Sequence, residues 1–262
     1  MSTSLHYWPD IQGRAATIRY LLHHAGQKIN FIGKDRQTWP IEKANLEKKN
    51  ALINLPFIEY EYEPGKTYNL SQTYLIIKVL GEKYGYVGKT ILEKIMVAQC
   101  EEQIRDVEFG LIFSVLFTPK EEKSKMEFAL KNRIPEVLGG LEKVMTSHGQ
   151  KFLCCQNLTY PDFMLFTVIE WLVKMRPTIL DNLPKLSSWH STMMADSKIV
   201  EHREFEDKMP FTVQYKKMFD EMPEEMKEMM KKGMGEENYE ALYANLPTVE
   251  WGTEGNMGKI CD

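Results

Sequence analysis

No run of apolar residues in this chain approaches the roughly 18 that a membrane-spanning helix needs, so no transmembrane segment is expected. An excess of one charge is also missing. Against 33 Lys and Arg stand 37 Asp and Glu, a net −4, which leaves no basic footprint for nucleic acid or an anionic membrane. The start, MSTSLHYWPD, has neither a basic nor an apolar stretch, and no secretory signal is expected. Cysteine is scarce: Cys100, Cys154, Cys155 and Cys261 form no CxxC pair and no metal-ligand spacing, so no metal is expected. Cys154 and Cys155 lie in the apolar run KFLCC and read as buried free thiols of a reducing, cytoplasmic compartment. A phosphate loop at GKT (residues 88–90) is excluded, because Lys83 stands where that motif needs its first glycine.

What is present is a change of pattern part-way along. Residues 5–8 and KINFIGK read as strands around a helix at 14–24, where Ala15, Ile18, Leu21 and Leu22 recur at helical spacing before Gly26. The polar WPIEKANLEKK, with Pro40 near its start, reads as a surface helix. LPFIEYEYEPGKTYNL alternates and breaks at Pro64 and Gly65, a hairpin signal. SQTYLIIKVLGEKYG reads as a helix capped by Ser71 and ended by Gly85. From Thr90 onward only helices are expected, at 91–117, 122–148, 159–174 and 186–195. The organisation is therefore an α/β unit over 1–86, an all-helical unit over 87–211 and an extension over 212–262.

LTYPDFMLF carries a helix start: Thr159 and Asp162 have capping-box spacing, with Leu158 and Phe163 placed as a hydrophobic staple. In the extension, PEEMKEMMKKG and ENYEALYANLP read as short amphipathic helices. Their stripes, Met222, Met226, Met229 and Met230 in one and Tyr239, Leu242, Tyr243 and Leu246 in the other, fold back on the chain or dock a protein partner.

Taken with this order of elements, several separated motifs resemble the soluble glutathione S-transferases, nearest the mu and sigma classes. They are YWPDIQGRAATIRYLL, DRQTW through Lys43, NLPF, SQTYLI, EEQIRD and LTYPDF, spread over residues 5–211. The resemblance implies a thioredoxin-like α/β domain followed by an all-α domain, a homodimer, glutathione as co-substrate, and detoxification of small apolar electrophiles. It also implies roles for particular residues. Tyr7 would stabilise the thiolate, because a hydroxyl aimed at sulfur favours the charged form. Gln72 and Thr73, at a helix start whose dipole favours an anion, would hold the γ-glutamyl end. Trp39 and Lys43 would hold the glycine carboxylate. Asn54 and Leu55 precede Pro56, whose cis bond would present the Leu55 backbone to the cysteinyl amides. Asp106 would reach the γ-glutamyl ammonium of the neighbouring subunit. Trp8, Leu116 and residues near Phe211 would line an apolar wall.

The chain departs from the family pattern at four places. Tyr7 and Gly13 enclose five residues where relatives usually have four. Counting back from Gly13 puts Trp8 in the catalytic slot; counting forward from Leu5 puts Tyr7 there, and the extra residue is assigned to the loop. Cys155 replaces a glycine before the capping box, Tyr74 and Leu75 replace small residues beside Thr73 and are expected to crowd the site, and Leu116 stands where the mu class has a tyrosine. A weakly active or silent homologue, docking a partner through 212–262, is the alternative reading.

Overall fold

The computed structural model describes residues 2–111, 123–211, 219–220 and 222–244. Strand β1 (Ser2–Tyr7) leads through a 3-10 turn (Gly13–Ala15) into α1 (Ala16–His24) and β2 (Lys28–Gly33), which pairs with β1 in parallel. After α2 (Trp39–Leu46) comes the hairpin of β3 (Phe57–Glu63) and β4 (Lys66–Ser71), turning at Pro64 and Gly65, and then α3 (Thr73–Tyr84). The sheet order is β2-β1-β3-β4, with β3 antiparallel to β1. This is the thioredoxin-like arrangement, and everything after it is helical among the described residues.

The helices are α4 (Ile91–Leu111), α5 (Lys123–Phe128), α6 (Ile134–His148), α7 (Tyr160–Met175), α8 (Pro184–Met194), α9 (Ser197–Glu206), α10 (Glu224–Met234) and α11 (Glu236–Ala244). Two expectations are corrected. The single helix expected over 122–148 is interrupted by a π-type turn at Ala129–Arg133. Pro135, just beyond it, has no N–H to bond one turn back and its ring crowds the carbonyl there, so the ladder slips register. Ser71 does not cap α3: its hydroxyl donates to the Leu52 carbonyl at 2.8 Å, and the cap position is Gln72, whose side chain makes no capping bond. The sequence reading also missed α9. Its signal is Asp196, whose carboxylate accepts the Lys198 and Ile199 amides at 2.9 and 3.2 Å.

Helix α7 explains how the two units hold together. Apolar almost all round, it is buried from Tyr160 to Leu172, and such a helix belongs at the centre of a core. Leu5, Ile18 and Leu21 from the α/β unit share one continuous cluster with Phe163, Leu165 and Phe166. Cys100, Cys154 and Cys155 are buried, unpaired thiols in that cluster.

In the extension, α10 and α11 pack on each other beside Phe219, whose ring lies 6.2 Å from that of buried Tyr239. No described residue of α10 is buried, and Met229 is 66% exposed. Leu246 lies outside the described residues.

Candidate functional site

The strand register gathers the candidate residues at one end of the sheet. Tyr7 pairs with Gly33 at the carboxyl ends of β1 and β2, His6 with Phe57 at the start of β3, and Phe57 with Ser71 at the end of β4. The segments leaving these points carry the 8–13 loop, α2, the 54–56 turn and the start of α3. Tyr7, Trp39, Lys43, Asn54, Leu55, Pro56, Gln72 and Thr73 therefore come from sequence-distant segments that meet around one edge.

Tyr7 shares the buried face of β1 with Leu5 and is 5% exposed. Its ring lies under Gly13, which takes φ +45°; a Cβ there would stand 2.4 Å from the Tyr7 hydroxyl. The backbone N–H of Arg14 donates to that hydroxyl at 3.0 Å. One lone pair is thereby occupied, and the phenolic proton is free to point elsewhere. Burial pushes the phenol's pKa up, against the pull of the Arg14 amide and the Arg19 and Arg14 guanidiniums, so at neutral pH the group is a donor. Gly13→Ala adds a methyl at that contact in a backbone region that disfavours side chains. It is expected to displace Tyr7 and destabilise the fold by about 1–3 kcal/mol, checked by thermal unfolding.

The residue added between Tyr7 and Gly13 does not loosen the loop. Gln12 is buried, with its side-chain amide donating to the carbonyls of Glu206 (2.8 Å) and Met209 (3.0 Å). Its side-chain carbonyl accepts Trp171 Nε1–H at 2.8 Å. The backbone joins in: the Gln12 and Gly13 amides donate to the carbonyls of Pro210 and Phe211 at 2.8 and 3.0 Å. Below this, Arg19 grips buried Glu206 with two bonds of 2.6 and 2.8 Å and donates to the Gln12 carbonyl at 2.9 Å. Phe211 is itself core, stacked on Trp171.

Trp8 lies across the strand from Tyr7, edge-on to Trp39 at 6.3 Å, with the Arg36 guanidinium 5.0 Å over its ring. Arg36 is held there by both oxygens of Asp10, at 2.8 and 3.0 Å. Trp39 is 8% exposed and packs with Ile53 and Phe57, while half-buried Lys43 pairs with Glu47 at 3.6 Å. A second cation nearby, Lys34, pairs with Glu42 and lies 5.8 Å over Phe57; nothing in the local pattern singled it out. The Leu55–Pro56 bond is cis, and the Leu55 N–H is taken by Asn54 Oδ1 at 2.9 Å.

At the start of α3, Gln72 takes φ +75°, alone among the described non-glycine residues. Non-glycine residues held in that region cluster at ligand sites. With no side-chain cap, the first-turn amides face outward at the positive end of the helix dipole. Thr73 is 4% exposed, and its buried hydroxyl has no protein partner.

A cluster that the sequence reading missed adjoins Tyr7. Tyr74, expected to crowd the site, turns instead toward α4, where its hydroxyl donates to Glu108 Oε2. The guanidiniums of Arg14 and Arg105 lie over its ring at 5.0 and 4.7 Å from the centroid, and Arg14 Nε forms an ion pair with Glu108 Oε1 at 3.2 Å. Asp106, next along α4, is exposed. Leu116 lies outside the described residues. Among those described, no group of three or more His, Cys, Asp or Glu could hold a metal ion, and no helix is long and apolar enough to cross a membrane.

Comparison with known proteins adds an independent line. A family model for the glutathione S-transferase C-terminal domain matches residues 106–206. Glutathione S-transferase Mu 4 of Mus musculus is 30% identical over 199 residues, covering 72% of this chain and 84% of that protein. Glutathione S-transferase A3 of the same organism is 27% identical over 189 residues, covering 71% and 81%. Glutathione S-transferase A of Cavia porcellus is 26% identical over 227 residues, covering 83% and 96%. In three dimensions, the crystal structure of the glutathione S-transferase Blo t 8 superposes with a TM-score of 0.68 at 24% identity, over 80% of this chain and 96% of that one.

Proposed function

The chain belongs to the glutathione S-transferase family and is a glutathione transferase, and on that premise we propose that Tyr7 carries the chemistry of conjugating reduced glutathione to small apolar electrophiles. Alpha- and mu-class relatives match at nearly the same identity, so family membership is fixed and class is not.

The observation that carries the proposal is the Tyr7 hydroxyl: buried, protonated, with one lone pair held by the Arg14 amide. Its remaining proton can meet a sulfur and stabilise it as thiolate. The rest of the reaction is positioning. The uncapped start of α3, with Gln72 and the Thr73 backbone, takes the γ-glutamyl carboxylate. Leu55, once Asn54 releases its N–H, takes the cysteinyl amide. Trp39 and Lys43, with Lys34 nearby, take the glycine carboxylate. Asp106, exposed on α4, reaches the ammonium held by a second copy in a homodimer. Trp8 flanks the electrophile. The three buried free thiols suit a reducing, cytoplasmic setting.

The second reading, a scaffold docked through residues 212–262, is favoured by one observation: α10 buries none of its described residues and leaves Met229 exposed. Conjugation of glutathione to chlorodinitrobenzene, with glutathione binding measured by calorimetry, separates the two. We expect turnover and saturable binding, both retained when the chain is truncated after Phe219. A protein that neither binds nor conjugates glutathione leaves the scaffold reading standing instead.

A further inference from the structure

Tyr74 joins three segments that the chain brings to one point beside Tyr7. It starts on α3, stacks against Arg14 from the turn before α1, and bonds Glu108 on α4. Glu108 is buried and divides its two oxygens: Oε1 forms an ion pair with Arg14 Nε at 3.2 Å, and Oε2 accepts the Tyr74 hydroxyl. Arg14 is thus held by an ion pair to Glu108 and by the Tyr74 ring beside its guanidinium, although its side chain stays 44% exposed. The Arg105 guanidinium also lies over the Tyr74 ring, 4.7 Å from its centroid. The same Arg14 supplies the amide that holds the Tyr7 hydroxyl. A side chain so held leaves its own backbone little freedom, and the direction of the Tyr7 O–H depends on that backbone.

We propose that Tyr74 is a positioning residue for the thiolate donor, locking Arg14 against Glu108 so that the Arg14 amide keeps the Tyr7 hydroxyl aimed at the sulfur. The proposal rests on the reading of Tyr7 above. A phenylalanine at position 74 keeps the ring beside the two guanidiniums and removes the hydroxyl, with its bond to Glu108 and its interaction with Arg14, so the fold is retained while the lock is loosened.

The test compares wild type, Tyr74→Phe, Tyr7→Phe and the double variant. It follows conjugation of chlorodinitrobenzene and the ultraviolet absorbance of bound glutathione thiolate across pH. In Tyr74→Phe, kcat falls about tenfold with KM for glutathione within about twofold, because orientation and not binding is lost. The pH midpoint of the thiolate rises by about one unit, since the donor is less well aimed. In the Tyr7→Phe background the same substitution changes neither quantity, which is the signature of two residues acting through one bond. Equal losses in both backgrounds, or an unmoved midpoint in Tyr74→Phe, overturn the proposal. Wild-type turnover and midpoint in Tyr7→Phe alone overturn the parent reading, and that result is read on a different variant. If circular dichroism shows Tyr74→Phe unfolded, Glu108→Gln reads the same coupling, with a loss in the wild-type background and none beside Tyr7→Phe.

Discussion

Tyr7→Phe is expected to lower kcat for glutathione conjugation by about thirtyfold at pH 7 while KM for glutathione changes by less than about threefold. The substitution deletes one oxygen from a ring that is already packed under Gly13, so the fold has little reason to move. What goes is the donor. A thiol in water has a pKa of about 8.5, and a hydrogen bond to the sulfur favours the charged form. Without it the bound thiol's pKa returns toward the solution value, leaving only a few per cent as thiolate at neutral pH. The sign follows directly: the variant's rate should climb about tenfold per pH unit until the thiol is ionised near pH 9, narrowing the gap to wild type. A pH–rate profile measured from 6 to 10 on both proteins checks this. Parallel profiles of equal height would remove Tyr7 from the mechanism.

The parts of the fold that were legible in advance are those whose signals are local. The hairpin turn at Pro64 and Gly65, the left-handed stop of α3 at Gly85 and the Thr159–Asp162 box all lie within a few residues of what they determine. Legibility failed where a side chain spends its hydrogen bonds far away. Ser71 has the chemistry of a helix cap, but it donates to Leu52, 19 residues back, and the role passes to Gln72 in a conformation that no local preference predicts. Gln12 could be counted as a loop residue but not as a clamp, because its partner Trp171 is 159 positions away. At the candidate site the same division holds. Tyr7 at a strand end and an anion-friendly helix start are readable from pattern. The Arg14–Tyr74–Glu108 lock is not, since Tyr74 and Glu108 are 34 residues apart on helices whose packing decides everything. Trp39 illustrates the reverse error: beside Lys43 in a polar segment it resembles a solvated helix face, yet its indole is buried against Ile53 and Phe57.

The largest effect on stability is expected at Asp162, which is fully buried in α7. Its two oxygens accept four donors: the Leu153 N–H and Trp189 Nε1–H at 2.9 Å each on Oδ1, and the Thr159 N–H and hydroxyl at 2.8 Å each on Oδ2. Those donors belong to the 150–158 loop, α8 and the start of α7, so one carboxylate ties three segments at the centre of the core. A longer acidic side chain at this position would overreach, which accounts for Asp where the capping box usually has Glu. Asp162→Ala leaves all four donors buried without acceptors and opens a hole beside Trp189. Each orphaned buried donor costs about 1–3 kcal/mol, partly recovered by relaxation and entering water, so a net loss on the order of 3–5 kcal/mol is expected. For a chain of this size that lowers the melting temperature by about 10 °C, and accumulation of soluble protein should fall with it. Asp162→Asn should be almost as damaging, because its amide turns a donor toward one of the two donor pairs. Trp189→Phe removes a single donor and should lose only about 1–2 kcal/mol, which marks the difference between cutting one strand of the tie and removing the knot. Thermal melts of the three variants decide it. Equal, small shifts of a degree or two across all of them would mean that the carboxylate is a convenience of this helix start and not the anchor of the core.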